Sequence, residues 1–245
     1  MSDEIKVTGT PVTYGEGATR NTKEGKGRFD LIPPEPFDVI VEEMHILMEK
    51  EFKRDSNGFV ICDMGALDVY AKAMQIHITI GNTHPVEEIY YVADAIIAIV
   101  LHNILEDDVY SVPENDLMRV FEIGMLSTMK GLAKHFENGA KIYGEHNCEK
   151  GIPKWSFIDS GLRHLSQYLL SENDENHYIA AIWNLWMLLW TIQKEADVSK
   201  HYLETFRADI DALTTPKKDT NISLSVNRSI DDNDDNDDNE GDDEE

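Results

Sequence analysis

Acidic and amide side chains lead into a strongly apolar segment near residue 180. The stretch Ser171–Trp190 reads SENDENHYIAAIWNLWMLLW. On a helix, Asp174, His177 and Asn184 would lie within about 80° of one another, because successive residues turn by roughly 100°. Burying polar groups costs about 1–3 kcal/mol each unless a partner satisfies them. The polar stripe therefore indicates a bound ion, a substrate or neighbouring polar side chains.

The acids before this helix have the composition of a divalent-metal site. Mg²⁺ takes oxygen ligands and keeps waters that a phosphate substrate can replace, whereas imidazole suits Mn²⁺ better. We therefore predict an Mg²⁺ or Mn²⁺ site. Its candidate metal ligands are Glu172, Asp174, Glu175, His177 and Asn184.

Each of these residues also has a structural interpretation. Asp174 can be the N-cap of the apolar helix, with Glu175 favourable in its first turn. His177 can be a core histidine that donates to a carbonyl group, and Asn184 can bridge two helices. The sequence leaves both interpretations open.

The elements that position these residues are helices. Nearly every apolar pattern in the chain repeats at spacings of three and four, which predicts an all-α fold. One short strand is predicted at 59–62. The predicted helices span residues 37–52, 66–80, 86–106, 117–143, 157–170, 178–194 and 200–213.

Charge and composition restrict the class of protein. The net charge is −25, and eleven of the 47 acids lie in residues 231–245. We predict a flexible arm at 1–27, a single all-α domain at 28–213 and a disordered acidic tail at 214–245. Direct DNA binding and attraction to an anionic membrane are not expected of such a chain.

Cysteine usage and hydropathy predict a cytoplasmic protein. Only two cysteines are present, and their spacing matches neither a disulfide framework nor a CxxC metal site. The N-terminus lacks the basic and apolar pattern of a signal peptide. The longest apolar run, 179–192, is too short to span a bilayer and is predicted to be a buried helix.

Three other patterns are weaker functional candidates. The segment GEGATRNTKEGKG is rich in glycine but lacks the GxxxxGK[ST] motif, so it is not a phosphate-binding loop. Glu87, Glu88 and Asp94 can form a second metal face, or a helix N-terminal charge pair and an interface acid. The three tryptophans at 183, 186 and 190 are typical of a core or a dimer seam rather than a base-stacking platform.

Three stretches, in order, resemble the N-terminal domain of the phage-associated dATP/dGTP diphosphohydrolases. They are GATRNTKEGKGRFDLIPPEPFDVI (17–40), NGAKIYGEHNCEKGIP (138–153) and FIDSGLRHLSQYLLSENDENHYIAAIWNLWMLL (157–189). The resemblance implies a MazG-like helical bundle in which residues of about 53–131 are a long helical insertion. Cys148 stands where the family pattern has an aromatic residue.

The resemblance also implies roles for individual residues. It makes Glu172, Asp174 and Glu175 the catalytic, metal-holding acids. Arg163 has a structural alternative, an intrahelical ion pair with Asp159. The implied nucleotide-binding residues are Lys141, Tyr143, Asn147, Arg163 and His164.

The predicted function is metal-dependent hydrolysis of a purine deoxynucleoside triphosphate, dATP or dGTP, to the monophosphate and pyrophosphate. The resemblance further implies a homo-oligomer, in the host cytoplasm if the protein is encoded by a bacteriophage. One alternative is a non-catalytic acidic binding protein or nucleic-acid mimic that engages a basic host protein. Another is a helical scaffold that has lost its active site.

Overall fold

The computed structural model describes residues 12–13, 15, 19–20, 24–50, 52–62, 65–105 and 110–196. The predicted helix at 200–213, the acidic tail and most of the N-terminal arm lie outside these residues. The helices within them are α1 (Glu35–Lys50), α2 (Ala66–Thr79), α3 (Pro85–Leu105), α4 (Glu114–Tyr143), α5 (Lys154–Leu169) and α6 (His177–Ala196). The all-α prediction is confirmed.

Short strands accompany the helices. The strands are β1 (Val12–Thr13), β2 (Thr19–Arg20), β3 (Lys53–Arg54), β4 (Val60–Cys62) and β5 (Tyr110–Val112). Strands β1 and β2 form one antiparallel pair, and β3, β4 and β5 form an antiparallel sheet in that order. The predicted strand at 59–62 is confirmed as β4, which pairs with the segment just before α4.

Helix α3 lies at the centre of the bundle and packs against α1, α2, α4 and α6. It begins at Pro85, where the missing amide proton of proline has no cost because the first turn has no intrahelical partner. The helix is long and apolar enough to cross a membrane by length and composition, but 72% of that apolar window is buried inside the fold. It is therefore the core helix of this bundle.

The N-terminal segment 24–34 packs on α4 through two glycines and a carboxylate. The backbone amides of Gly25 and Gly27 donate to the two carboxylate oxygens of Glu137 at 2.7 and 2.8 Å. Gly27 has a φ of +87°, and a Cβ there would lie 2.8 Å from the Cβ of Ala133. Two amides of the glycine-rich segment thus bind an acid of the same chain.

Replacing Glu137 with glutamine should destabilise this attachment. Glutamine turns an amide group toward one of the two glycine N–H donors, and a hydrogen bond to a charged group contributes about 1.5–3 kcal/mol. For a chain of this size each kcal/mol lowers the melting temperature by about 2–4 °C. The control is Glu122→Gln on the exposed side of α4, which should leave the melting temperature unchanged.

The effect of Glu137 should depend on pH in a defined direction. The amide of Gly25, the ammonium group of Lys141 and the amide of Gly27 lower the pKa of Glu137 from 4.5 to about 2. A carboxyl group with a lowered pKa stabilises the fold fully above its unfolded value and loses that contribution as pH falls toward its folded value. The melting difference between wild type and Glu137→Gln should therefore shrink from pH 6 to pH 3. A melting difference that stays constant from pH 6 to pH 3 would contradict the lowered pKa of Glu137.

Candidate metal centre

The end of α5 holds the first of the predicted acids in place. Ser171 adopts a left-handed φ of 59°. The amide of Ser171 donates to the carbonyl of Tyr168, and the amide of Glu172 donates to the carbonyl of Gln167, both at 2.9 Å. This is the Schellman pattern of a helix end. The Gln167 side chain also donates to Glu172 Oε2 at 3.1 Å, so the carboxylate lies against the last turn of α5.

The start of α6 is capped by Asn176 rather than by Asp174. The Oδ1 atom of Asn176 accepts from the amide of Ile179 at 3.1 Å, and its carbonyl accepts from the amide of Ala180 at 3.0 Å. The predicted alternative that Asp174 is the N-cap is therefore wrong, because the residue immediately before the helix takes that role. Asp174 lies in the preceding turn.

His177 is buried and its two ring nitrogens face different groups. Its Nε2 atom lies 2.6 Å from Asp174 Oδ1, and this hydrogen bond lowers the pKa of Asp174. A carboxylate only accepts hydrogen bonds, so Nε2 carries the proton of the neutral ring. The Nδ1 lone pair is then available on the opposite side. His177 is not a core histidine that donates to a carbonyl group.

Three ligand atoms converge on that opposite side. His164 Nδ1 lies 3.1 Å from His177 Nδ1 and 3.1 Å from Glu175 Oε1. The Glu175 oxygen lies 3.4 Å from His177 Nδ1. The pKa of His164 is lowered, mainly because the ring is partly buried and to a smaller extent because Arg163 is nearby. A lowered pKa favours the neutral form of the ring, which is the form that binds a metal.

This group of His164, Glu175 and His177 fits a transition-metal ion. An ion with bonds of about 2.0–2.2 Å separates neighbouring ligand atoms by about 2.8–3.6 Å, from octahedral to tetrahedral geometry. The observed separations of 3.1–3.4 Å lie within that range. The Asp174 carboxylate bound to the far side of His177 is the outer contact that fixes the tautomer of a metal-binding histidine.

The structure also brings together the more exposed group of Glu172, Asp174 and His177, whose ligand atoms lie within 4.8 Å of one another. Asn184 belongs to neither group. Its amide donates to the carbonyl of Ala180 at 2.8 Å within α6. A Cβ at Gly161 would lie 3.3 Å from the Asn184 Cβ, so this side chain lies where α5 and α6 pack closely.

Two of the implied nucleotide-binding residues are basic, Lys141 and Arg163, and both have other neighbours. Lys141 pairs with Glu137 at 3.0 Å beside the N-terminal segment. Arg163 is exposed and lines a cavity with Asp159 and Trp155 between α2 and α5. Within the described part of the chain, no ion pair joins Arg163 to Asp159, so the predicted structural alternative is absent.

Tyr143 and Asn147, by contrast, line one cavity together. His135 and Trp183 lie in the same wall. Sequence reasoning missed His135, although its spacing offers a signal: His135, Gly139 and Tyr143 are four residues apart and share one face of α4. The centre of the His135 ring lies 5.4 Å from that of Trp183, and burial lowers the pKa of His135.

The weaker acidic candidates are structural. Glu88 is buried and accepts a hydrogen bond from the amide of Gly81 at 2.6 Å, which ties the α2–α3 turn to α3. Asp94 pairs with Lys72 of α2 at 2.6 Å. Both acids hold α2 against α3, and the interface interpretation of Asp94 is confirmed.

The fold and the site together define a class: an all-α protein with a histidine–carboxylate group at a helix–turn–helix, of which His177 is buried. Residues 113–201 match the family model described as dATP/dGTP diphosphohydrolase, N-terminal. The match confirms the resemblance from the start of α4 through α6 and does not extend to the stretch 17–40. No curated protein and no solved structure matches the chain.

Two neighbouring substitutions should separate capping from metal binding. Asn176→Ala removes the N-cap of α6 and should lower the free energy of unfolding by about 1 kcal/mol, with metal affinity retained. Asp174→Asn should leave stability unchanged, because the Asp174 side chain is 76% exposed. It should weaken Mn²⁺ binding about 10–100-fold by releasing His177. Both variants are measured by thermal melting and by Mn²⁺ titration. A loss of stability with unchanged Mn²⁺ affinity in Asp174→Asn would show that Asp174 has a structural role.

Proposed function

We propose that this protein is a metal-dependent pyrophosphohydrolase of purine deoxynucleoside triphosphates. It converts dATP or dGTP and one water molecule to the deoxynucleoside monophosphate and pyrophosphate. The observation that carries the proposal is the position of the His164–Glu175–His177 group. It lies inside residues 113–201, which match the dATP/dGTP diphosphohydrolase family model.

The donor set favours Mn²⁺ over Mg²⁺. Two of the three converging atoms are imidazole nitrogens, and Mg²⁺ selects oxygen ligands. When bound, the metal neutralises phosphate charge and activates a water molecule. Glu175 supplies the negative charge of the ligand set, while Asp174 keeps His177 in the tautomer that offers Nδ1.

A bound cation would also reduce the repulsion between this negatively charged protein and a triphosphate. The chain carries a net charge of −25, which repels a triphosphate. No phosphate contact is assigned to Lys141 or Arg163, because Lys141 pairs with Glu137 and Arg163 lines another cavity. The metal ion therefore supplies the positive charge that the substrate needs.

The test is a product analysis with purified protein. Each of the four deoxynucleoside triphosphates is incubated with Mn²⁺, with Mg²⁺ or with a chelator, and the products are separated by anion exchange. We expect dAMP or dGMP and pyrophosphate in equal amounts, with Mn²⁺ more effective than Mg²⁺ and no turnover with chelator. Absence of turnover, or release of inorganic phosphate or triphosphate instead, would contradict the proposal. Absence of turnover together with capture of a basic protein would favour the acidic binding protein.

A further inference from the structure

A cavity of about 300 Å³ opens between the C-terminal end of α4, the loop after it and α6. Its volume lies at the lower end of the range of small-molecule sites. The walls come from three parts of the chain that the fold brings together. Helix α4 provides His135 and Tyr143, the short 3-10 helix Asn147–Lys150 provides Asn147 and Cys148, and α6 provides Trp183.

The walls have the chemistry of a site for a flat heterocycle. The rings of His135 and Trp183 are 5.4 Å apart and tilted by 39°. Phe136 and Phe157 make edge contacts with Trp183 at 6.0 Å, which hold its ring in place. Aromatic side chains bind nucleobases through their faces whatever the base. Among the described residues, the cavity lining includes no lysine or arginine, so it offers a phosphate group no permanent positive charge.

Two polar groups in the walls can contact the edge of a base, the Tyr143 hydroxyl and the Asn147 amide. The Tyr143 hydroxyl can donate or accept a hydrogen bond. The Asn147 amide offers both a donor and an acceptor, which is the pattern that pairs with a base edge.

The cavity and the group of His164, Glu175 and His177 share helix α6. Trp183 of the cavity wall follows His177 by six residues on this helix, a rise of about 9 Å. A nucleotide whose base occupies the cavity would have its sugar and phosphates free to extend past His135 toward these ligands. This arrangement separates an apolar compartment for the base from a charged one for the phosphates.

A glycine keeps the cavity open. Gly139 lies in the wall, inside a helix, where glycine is less favourable than alanine by about 1 kcal/mol. A Cβ built at Gly139 meets no atom within 4 Å. A larger side chain can therefore enter the space without a clash, so substitutions at Gly139 can fill the cavity while the fold is kept.

We infer that this cavity is the base-binding subsite of the protein and takes a purine ring against the wall that His135 and Trp183 form. The inference rests on the proposed function for its choice of ligand class. It concerns binding of the base alone, so it is tested without metal, phosphate or turnover. The probes are 2′-deoxyadenosine and 2′-deoxyguanosine in the presence of a chelator, with thymidine as the pyrimidine comparison.

The first measurement uses the wild-type chain and records the four tryptophan indole N–H signals by ¹H–¹⁵N NMR. Adding either purine nucleoside should shift the Trp183 signal, assigned through Trp183→Phe, and leave the Trp155 signal in place. Thymidine should cause a shift only at concentrations at least tenfold higher. A Trp183 signal that does not move at saturating purine nucleoside would overturn the inference, and an equal response to thymidine would overturn the purine assignment.

The second measurement fills the cavity in steps. Gly139→Leu should weaken nucleoside binding at least tenfold, while Gly139→Ala should stay within about threefold of wild type. Both variants should keep wild-type Mn²⁺ affinity, because Gly139 belongs to neither metal group. Wild-type nucleoside affinity in Gly139→Leu would overturn the inference even if the protein hydrolyses dATP or dGTP. Conversely, purine binding that Gly139→Leu removes would support the subsite even in a protein without turnover.

Discussion

Replacing Glu175 with glutamine should lower dATP or dGTP turnover at least a hundredfold, equivalent to about 2.7 kcal/mol in the activation barrier. Glu175 is the only acid among the three converging ligands, since the other two are the imidazoles of His164 and His177. An amide oxygen carries no net charge and binds a divalent cation more weakly. Mn²⁺ affinity, measured by calorimetric titration, should fall with turnover.

The melting temperature of Glu175→Gln shows whether a loss of turnover arises from a folding defect. The Glu175 side chain is 50% exposed, so the glutamine variant should melt within about 1 °C of wild type. Glu122→Gln, an exposed acid on α4, is the matched control and should keep both turnover and Mn²⁺ affinity. Wild-type Mn²⁺ affinity in Glu175→Gln would remove this residue from the metal centre.

Replacing Trp186 with alanine should have the largest effect on stability. The Trp186 side chain is fully buried, and its indole N–H donates to the carbonyl of Pro33 at 3.0 Å, which joins α6 to the N-terminal segment. Large-to-small changes of this kind cost about 3–5 kcal/mol. The melting temperature should therefore fall by roughly 6–20 °C.

Two further variants separate the lost side-chain volume of Trp186 from its lost hydrogen bond and provide an exposed control. Trp186→Phe keeps most of the ring but leaves the Pro33 carbonyl without its donor, so it should cost about 1–3 kcal/mol. Trp155 is 52% exposed, and Trp155→Ala should cost less than about 1 kcal/mol. Equal losses in Trp155→Ala and Trp186→Ala would contradict the placement of Trp186 in the core.

The helices were predictable because their apolar positions repeat at helical spacing over many turns. Helix α3 shows this most clearly: Ile89, Val92, Ile96 and Val100 recur at spacings of three and four, and all are buried. Strands β1, β2 and β3 have only two residues each, too few to show an alternating pattern. Their pairing depends on tertiary neighbours, which the sequence pattern does not reveal.

The candidate site was predictable in composition but not in detail. The sequence placed Asp174 on the same helical face as Asn184, but α6 begins at His177, and Asp174 lies in the turn before it. The helical angle therefore says nothing about where Asp174 points. Asn176 was not recognised as the N-cap because the acid two residues earlier is an equally good capping type.

Long-range partners were beyond sequence reasoning altogether. Glu137 binds amides 110 and 112 residues away, and nothing in the pattern of α4 marks it as buried. His135 meets Trp183 only when α4 packs against α6. Local periodicity fixes which face of a helix is apolar, whereas the meeting of two helices decides which polar residues share a site.

The most direct test of the central claim is the fate of oxygen from water during turnover. Wild-type protein and Glu175→Gln are incubated side by side with dGTP and Mn²⁺ in water enriched in ¹⁸O, and the products are analysed by mass spectrometry. Attack of water at the α-phosphorus breaks the bond to the pyrophosphate group and leaves the label on dGMP. We predict one ¹⁸O atom in dGMP, none in pyrophosphate, and at least a hundredfold less product from the variant. Label in pyrophosphate, or equal turnover by the two proteins, would contradict the account.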